Sequence, residues 1–351
     1  MHIPDGYISP ASAAALYGAA APFWWIASRQ LKERLTGRLV PLLALFAAFS
    51  FTIMLFNIPV PGGTTAHAVA GTLAAIVMGP WAAVVAVSVA LVIQALFFGD
   101  GGITAIGANS FNLAVALPLA GYAVYRLLSG RSNRLSRRRV VAAAVGAYVG
   151  INVAGLLVGV ELGIQPLLWS EGGRALYAPY PLEVAVPALL VPHLTVAGAA
   201  EAIATAFGLA YLQRAHPDLL VPDERASSPE SVRPRVSRRL TITLVALLVA
   251  AVPLGLLASG SAWGEWSADE VAAQVGYVPA GLERISAFWS APFPDYAPSI
   301  APAGATFAEQ AAAYVLSAVV GIGLIFAVAF GVRILLRRRT DGRSAMPAGG
   351  E

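Results

Sequence analysis

Of the residues able to do chemistry, the first two stand apart. Met1 and His2 open the stretch Met1-His2-Ile3-Pro4-Asp5-Gly6-Tyr7-Ile8-Ser9-Pro10. With a free amino terminus they offer one divalent ion three nitrogens: the α-amine of Met1, the amide nitrogen of His2 and its ring Nδ1. The backbone closes a five-membered and then a six-membered chelate ring, which keeps the donors nearly coplanar and leaves one in-plane position for a fourth nitrogen. Because the amide binds only as its anion, the ion has to favour square-planar nitrogen sites, so Ni(II) or Cu(II) come ahead of Zn(II) or Mg(II). The plain alternative is a start residue followed by an ordinary histidine. A secretory signal would open on basic residues running into an apolar core, whereas the first basic residue here is Arg29. The terminus is expected to stay intact.

The sequence has no cysteine and four histidines, His2, His67, His193 and His216, so a transition metal has to be held by nitrogen or oxygen. His67 follows Asn57-Ile58-Pro59-Val60-Pro61-Gly62-Gly63-Thr64-Thr65-Ala66, whose prolines and glycines stop the preceding helix. It is either a locally hydrogen-bonded residue at a helix start or the nitrogen that the terminal chelator lacks. Asn109, Ser110 and Asn112 read either as groups that orient ligating side chains or as interhelical hydrogen-bonding residues, and Gln94 shares that ambiguity. His193 and Glu201 are ionisable residues at membrane depth and functional candidates by default. They share a helix face but lie about 12 Å apart along it. His216 is expected in a solvated loop, and Asp5, in a turn, is the one acidic residue expected near the chelator.

These groups need a frame, and the composition supplies it. The 351 residues are 58% hydrophobic and 12% charged, with a mean hydropathy of +0.70, far too apolar for a soluble domain. The pattern predicts an all-α polytopic membrane helix bundle of about seven spans followed by a two-span C-terminal module. The spans are expected over residues 11–28, 39–58, 67–78, 81–98, 103–128, 140–160 and 184–212, then 240–258 and 312–336. A segment rich in Pro, Ser and charge, 213–239, reads as a cytoplasmic linker, so a first domain covers 1–212 and an accessory domain 240–351. With the amino terminus outside, every Lys and Arg except Arg174 and Arg284 falls on the cytoplasmic side. That orientation puts His2 and His67 on the extracytoplasmic face of the inner or plasma membrane and the C-terminus in the cytoplasm. The outer loop, 259–311, carries Trp263, Trp266 and Trp289 and suits a membrane-interface cap.

The net charge of +4 comes from arginines placed between spans, which forms no basic face for nucleic acid. Lys32, the single lysine, follows Leu31 rather than a glycine-rich turn, so the chain has no P-loop. Its spans also lack the matched broken segments of an inverted-repeat carrier. Uphill movement of an ion therefore needs a partner that hydrolyses ATP. An intramembrane metalloenzyme is the competing class; it would need an open coordination position and a general base.

The opening ten residues, Gly62-Gly63-Thr64-Thr65-Ala66-His67, Gly101-Gly102-Ile103-Thr104-Ala105-Ile106-Gly107-Ala108-Asn109, and Pro192-His193-Leu194 with Glu201-Ala202-Ile203-Ala204-Thr205 together carry a resemblance. Over residues 1–212 the chain resembles the substrate-binding (S) component of nickel and cobalt energy-coupling-factor (ECF) transporters. Gly276-Tyr277-Val278-Pro279-Ala280-Gly281-Leu282-Glu283 and Ala291-Pro292-Phe293-Pro294-Asp295-Tyr296 resemble the small two-span accessory subunit that is fused in some systems, with Ala280 where that family has aspartate. The resemblance implies that Met1, His2 and His67 bind the ion as a square of amine, amide and two imidazoles. It implies Ni(II), with Co(II) as the alternative, as transported substrate, and a transporter subunit rather than an enzyme. The implied partners are a transmembrane coupling (T) subunit, two cytoplasmic ATPase subunits and membrane lipid.

Overall fold

A computed structural model describes residues 2–32, 39–61, 63–132, 135–220, 238–258, 260–297 and 305–344. Apolar stretches of this length close their backbone hydrogen bonds internally, because a bilayer offers the amides no other partner. Helices α1 (Pro10–Lys32) and α2 (Leu39–Met54) lead to an antiparallel hairpin of β1 (Ile58–Val60) and β2 (Thr64–Ala66), with Ile58 opposite Ala66. The short α3 (Gly71–Met78) stops at Gly79, whose φ of 91° breaks the helix, and Pro80 opens α4 (Pro80–Phe98). Helices α5 (Ile106–Ser129), α6 (Arg137–Leu168) and α7 (Leu182–Ala215) follow, with a small hairpin, β3 (Ser170–Glu171) and β4 (Arg174–Ala175), between the last two. The C-terminal part comprises α8 (Arg238–Ala251), α9 (Ala268–Val275), α10 (Ala280–Ser286) and α11 (Phe307–Ser344).

Five of these helices, α4, α5, α6, α7 and the Phe307–Ile334 portion of α11, are long and apolar enough to cross a membrane, and Leu39–Met54 and Thr243–Leu257 are shorter apolar helices. The remaining expected spans are shorter or less apolar. Residues 67–78, expected as a short span, form instead a turn and the eight-residue α3. Pro59 and Pro61 lack the amide hydrogens a helix needs, and Thr64 and Thr65 suit a strand. Most of the expected linker, 221–237, lies outside the described residues.

Small residues let the bundle close. A Cβ added at Gly146 of α6 would meet the carbonyl oxygen of Gly121 on α5 at 2.4 Å, so these helices cross at backbone contact. Three spans also widen by a π-type turn, at Gln94–Phe98, Ser110–Ala116 and His193–Ala197. Such turns recur at functional sites. Here they carry Gln94, Ser110, Asn112 and His193.

Candidate metal site

The opening segment is built into the bundle. His2 is 3% exposed, and Ile3, Tyr7, Ile8 and Ser9 are equally buried. An extended buried strand has to find partners for its amides and carbonyls, and the start of α5 provides them. Asn109 grips Ile3 from both sides, accepting from its amide at 2.8 Å and donating to its carbonyl at 3.1 Å, while Gly102 donates to the same carbonyl at 2.8 Å. The approach is close enough that a Cβ at Gly102 would lie 2.3 Å from the Asp5 amide nitrogen. Asp5 accepts from the amides of Ile103 and Thr104 and from the Thr104 hydroxyl, and the Ser9 amide donates to Gln165 at 3.0 Å. Met1 lies outside the described residues.

His2 reaches a cavity of about 320 Å3 lined also by His67, Asp100, Glu265, Asp295 and Tyr296. Its Nδ1 is 2.7 Å from Asp100 Oδ1, and its amide donates to Glu265 Oε1 at 2.8 Å. The His2 and His67 rings stack with centroids 5.1 Å apart and 22° between planes. Nδ1 of His67 faces the Ala68 carbonyl at 3.2 Å; a hydrogen there leaves Nε2 as the lone-pair nitrogen. Nε2 of each ring is buried and has no hydrogen-bond partner among the described residues, which packing alone does not favour.

The electrostatics suit a cation. Burial drives the His67 ring well below the usual imidazole range, so its nitrogens stay neutral. Burial alone would raise the Asp100 carboxyl, but its close contact with His2 and the hydrogen bond from Tyr296 outweigh it and hold Asp100 well below the usual carboxylate range. The Tyr296 hydroxyl donates to Asp100, and burial followed by the Asp100 charge pushes its pKa well above the ordinary tyrosine value. Gln94 donates to Asp100 at 3.1 Å and to the Tyr296 oxygen at 2.9 Å. Among the described residues no cluster of three or more His, Cys, Asp or Glu is arranged to hold a metal.

The other sequence candidates divide. Asn109 touches the residue next to His2, as described. Asn112 donates to Glu161 at 2.7 Å between α5 and α6, away from the histidine pair, and the Ser110 hydroxyl is buried without a partner. His193 sets Nδ1 against the Leu189 carbonyl. Its ring fits because position 155 is glycine, where a Cβ would stand 2.7 Å from it. Glu201 accepts from the amides of Val69 at 2.7 Å and Ala70 at 2.8 Å. Neither His193 nor Glu201 lines the cavity of His2 and His67.

The sequence reading missed the acids that touch His2. Asp5 was the expected one, yet its oxygens are taken by Ile103 and Thr104, and Asp100 and Glu265 contact His2 instead. Asp100 had a signal, a lone acid among glycines on the same side as His67. Glu265 had none, being 263 residues from its partner. It belongs to the 259–311 segment, whose Trp263 and Trp266 pack at an angle against Tyr180 with centroids 4.9 and 5.7 Å away, and whose Trp266 carbonyl accepts from the Tyr7 hydroxyl at 2.7 Å.

Along most of its length the chain is similar to known proteins. Residues 2–219 match the family model for the cobalt uptake substrate-specific transmembrane region, and residues 237–338 match the PDGLE domain. The fused nickel transport protein NikMN of Rhodobacter capsulatus is 48% identical over 361 residues, covering 96% of this chain and 99% of that protein. The cobalt transport protein CbiM of Geobacter sulfurreducens is 33% identical over 289 residues, covering 80% of each. A solved structure described as a truncated transition metal transporter aligns with a TM-score of 0.57 at 50% identity, over 60% of this chain and 98% of that one. These relatives are transport proteins, not enzymes. With its apolar helices and its match over most of the length of such proteins, the chain belongs to the family of cobalt uptake substrate-specific transmembrane regions, joined to a PDGLE domain in one multi-pass membrane protein.

Proposed function

We propose that the chain captures Ni(II) at the extracytoplasmic face and passes it inward as the substrate-specific subunit of an ATP-driven ECF-type transporter. The observation that carries this reading is the pair of buried rings of His2 and His67, 5.1 Å apart, with Nε2 of His67 lacking a partner among the described residues. The ion takes the α-amine of Met1, the amide and Nδ1 of His2, and an imidazole nitrogen of His67. To bind, it takes the place of the His2 amide hydrogen, which leaves as a proton to water by way of the Glu265 carboxylate that accepts it, and it separates Nδ1 from Asp100. Both of those positions face a carboxyl oxygen, of Glu265 and of Asp100, and negative charge around a cavity draws a divalent cation into it. Ni(II) gains more than Co(II) from a square plane and an amide anion; cobalt is the second reading, favoured by the description of the matching family.

In this reading residues 1–212 hold the ion, 213–239 link, and 240–351 close the outer side, supported by the contacts of Glu265 with His2 and of Tyr296 with Asp100. The arginine distribution supports an extracytoplasmic amino terminus and a cytoplasmic C-terminus. The absence of a P-loop from the sequence supports a separate T subunit and two ATPase subunits. Titrating the purified protein with Ni(II) and Co(II), while following d–d absorption, tests the site. Tight binding with a square-planar band is expected, and binding indifferent to acetylation of the amino terminus would overturn the chelate.

A further inference from the structure

His67 sits in the turn Ala66-His67-Ala68-Val69-Ala70 between β2 and α3, and the turn is held from outside itself. The Ser50 hydroxyl of α2 donates to the Val69 carbonyl at 2.8 Å. From α7, one carboxyl oxygen of Glu201 accepts both the Val69 and the Ala70 amide, at 2.7 and 2.8 Å. Glu201 is fully buried, and its other oxygen has no partner. Ala70 is held at φ 60° and ψ 21°, a left-handed conformation that a residue with a Cβ avoids unless something fixes it. Only Ala68 separates His67 from the clamped residues, and no group among the described residues holds His67 Nε2. The direction of that nitrogen is thus set by the turn.

We infer that Glu201 is the positioning residue for His67: by accepting two consecutive amides it fixes the turn that aims the imidazole at the ion, and it ties that aim to the placement of α7. An ordinary helix cap would explain one amide bond at the start of α3. It does not explain an intramembrane carboxyl group, costly at that depth, spent on two amides beside a left-handed alanine. The inference rests on the reading of His67 as a ligand.

The test uses the full chain in detergent, titrated with Ni(II) and read by affinity and by the d–d band. Glu201→Leu keeps the bulk and removes the acceptor; it should weaken binding by about 10- to 100-fold, the usual cost of losing a group that orients a ligand. Its band should move toward lower energy as a weaker donor replaces the His67 nitrogen. Glu201→Gln keeps an acceptor oxygen and should stay near wild type. Should Glu201→Leu not fold, Glu201→Asp, which retracts the carboxyl by one methylene, is expected to show the same shift. Glu161→Leu removes a buried acid that bonds Asn112 instead, and should leave the band in place.

An unmoved band in Glu201→Leu overturns the inference, as does equal impairment of Glu201→Gln or the same shift in Glu161→Leu. A His67→Ala variant that binds like wild type would overturn the ligand reading of His67 itself, a separate failure.

Discussion

Replacing Glu265 by Gln keeps an oxygen able to accept the His2 amide hydrogen and removes one negative charge. That oxygen lies 2.8 Å from the His2 nitrogen. With a metal–nitrogen bond of about 2 Å, an ion on that nitrogen stands no more than about 5 Å from the carboxylate. Even with the full screening of water, a divalent and a single charge at that separation attract by about 1.7 kcal/mol, which is about 15- to 20-fold in affinity. Partial burial reduces the screening and raises the figure. Glu265→Gln should therefore weaken Ni(II) binding by at least about tenfold, measured by competition with a coloured chelator on the full chain. Glu171→Gln, which removes a charge from the exposed β3 strand, should change little. Wild-type affinity in folded Glu265→Gln would refute the placement of the ion on the His2 amide.

Other perturbations act on the terminus and the imidazole. One alanine inserted after Met1 moves the α-amine by about 3.8 Å while Asn109, Gly102 and Gln165 still hold residues 3–9. Ni(II) uptake by cells should fall by more than the roughly 10- to 100-fold typical of an outer-shell change. Asn109→Ala leaves the Ile3 amide buried without an acceptor, which should cost about 1–3 kcal/mol of stability, read by thermal unfolding, and speed Ni(II) release in stopped flow. Acid should also release the ion, because ligating nitrogens bind only when free of protons. A depressed imidazole pKa means that His67 stays neutral as pH falls and is lost to protonation late. The affinity difference between wild type and His67→Ala should thus hold down to about pH 6.5 and shrink only in stronger acid.

The parts of the molecule written in local pattern were legible. Long apolar runs marked α4 to α7, and Gly79-Pro80 marked the break between α3 and α4, because helix length and helix-stopping residues are local properties. The approach of His67 to His2 was also readable, since the proline-rich link placed both on one side. The β1–β2 hairpin was not, because three-residue strands containing Pro59 leave no alternating pattern. Nor were the grip of Asn109 on Ile3 and the bond from His2 to Glu265, which depend on how distant segments fold together. Glu201 and His193 illustrate the limit: helical spacing put them on one face of α7, but only packing shows that Glu201 reaches the turn behind His67 while His193 is seated against Gly155.

The burial of residues 2–9 has a bearing on biosynthesis. Residues 2–9 are made well before the residues that hold them: the last of their hydrogen-bond partners described above, Trp266, is 259 residues beyond Tyr7. At about 5–20 residues per second, the opening segment waits on the order of 13 to 50 seconds before its seat can be complete. During that interval the amides of residues 2–9 lack part of the set of partners that holds them in the folded chain. The order of synthesis thus leaves the cavity of His2 and His67 without one wall until residues 255–314 have been made and folded against it.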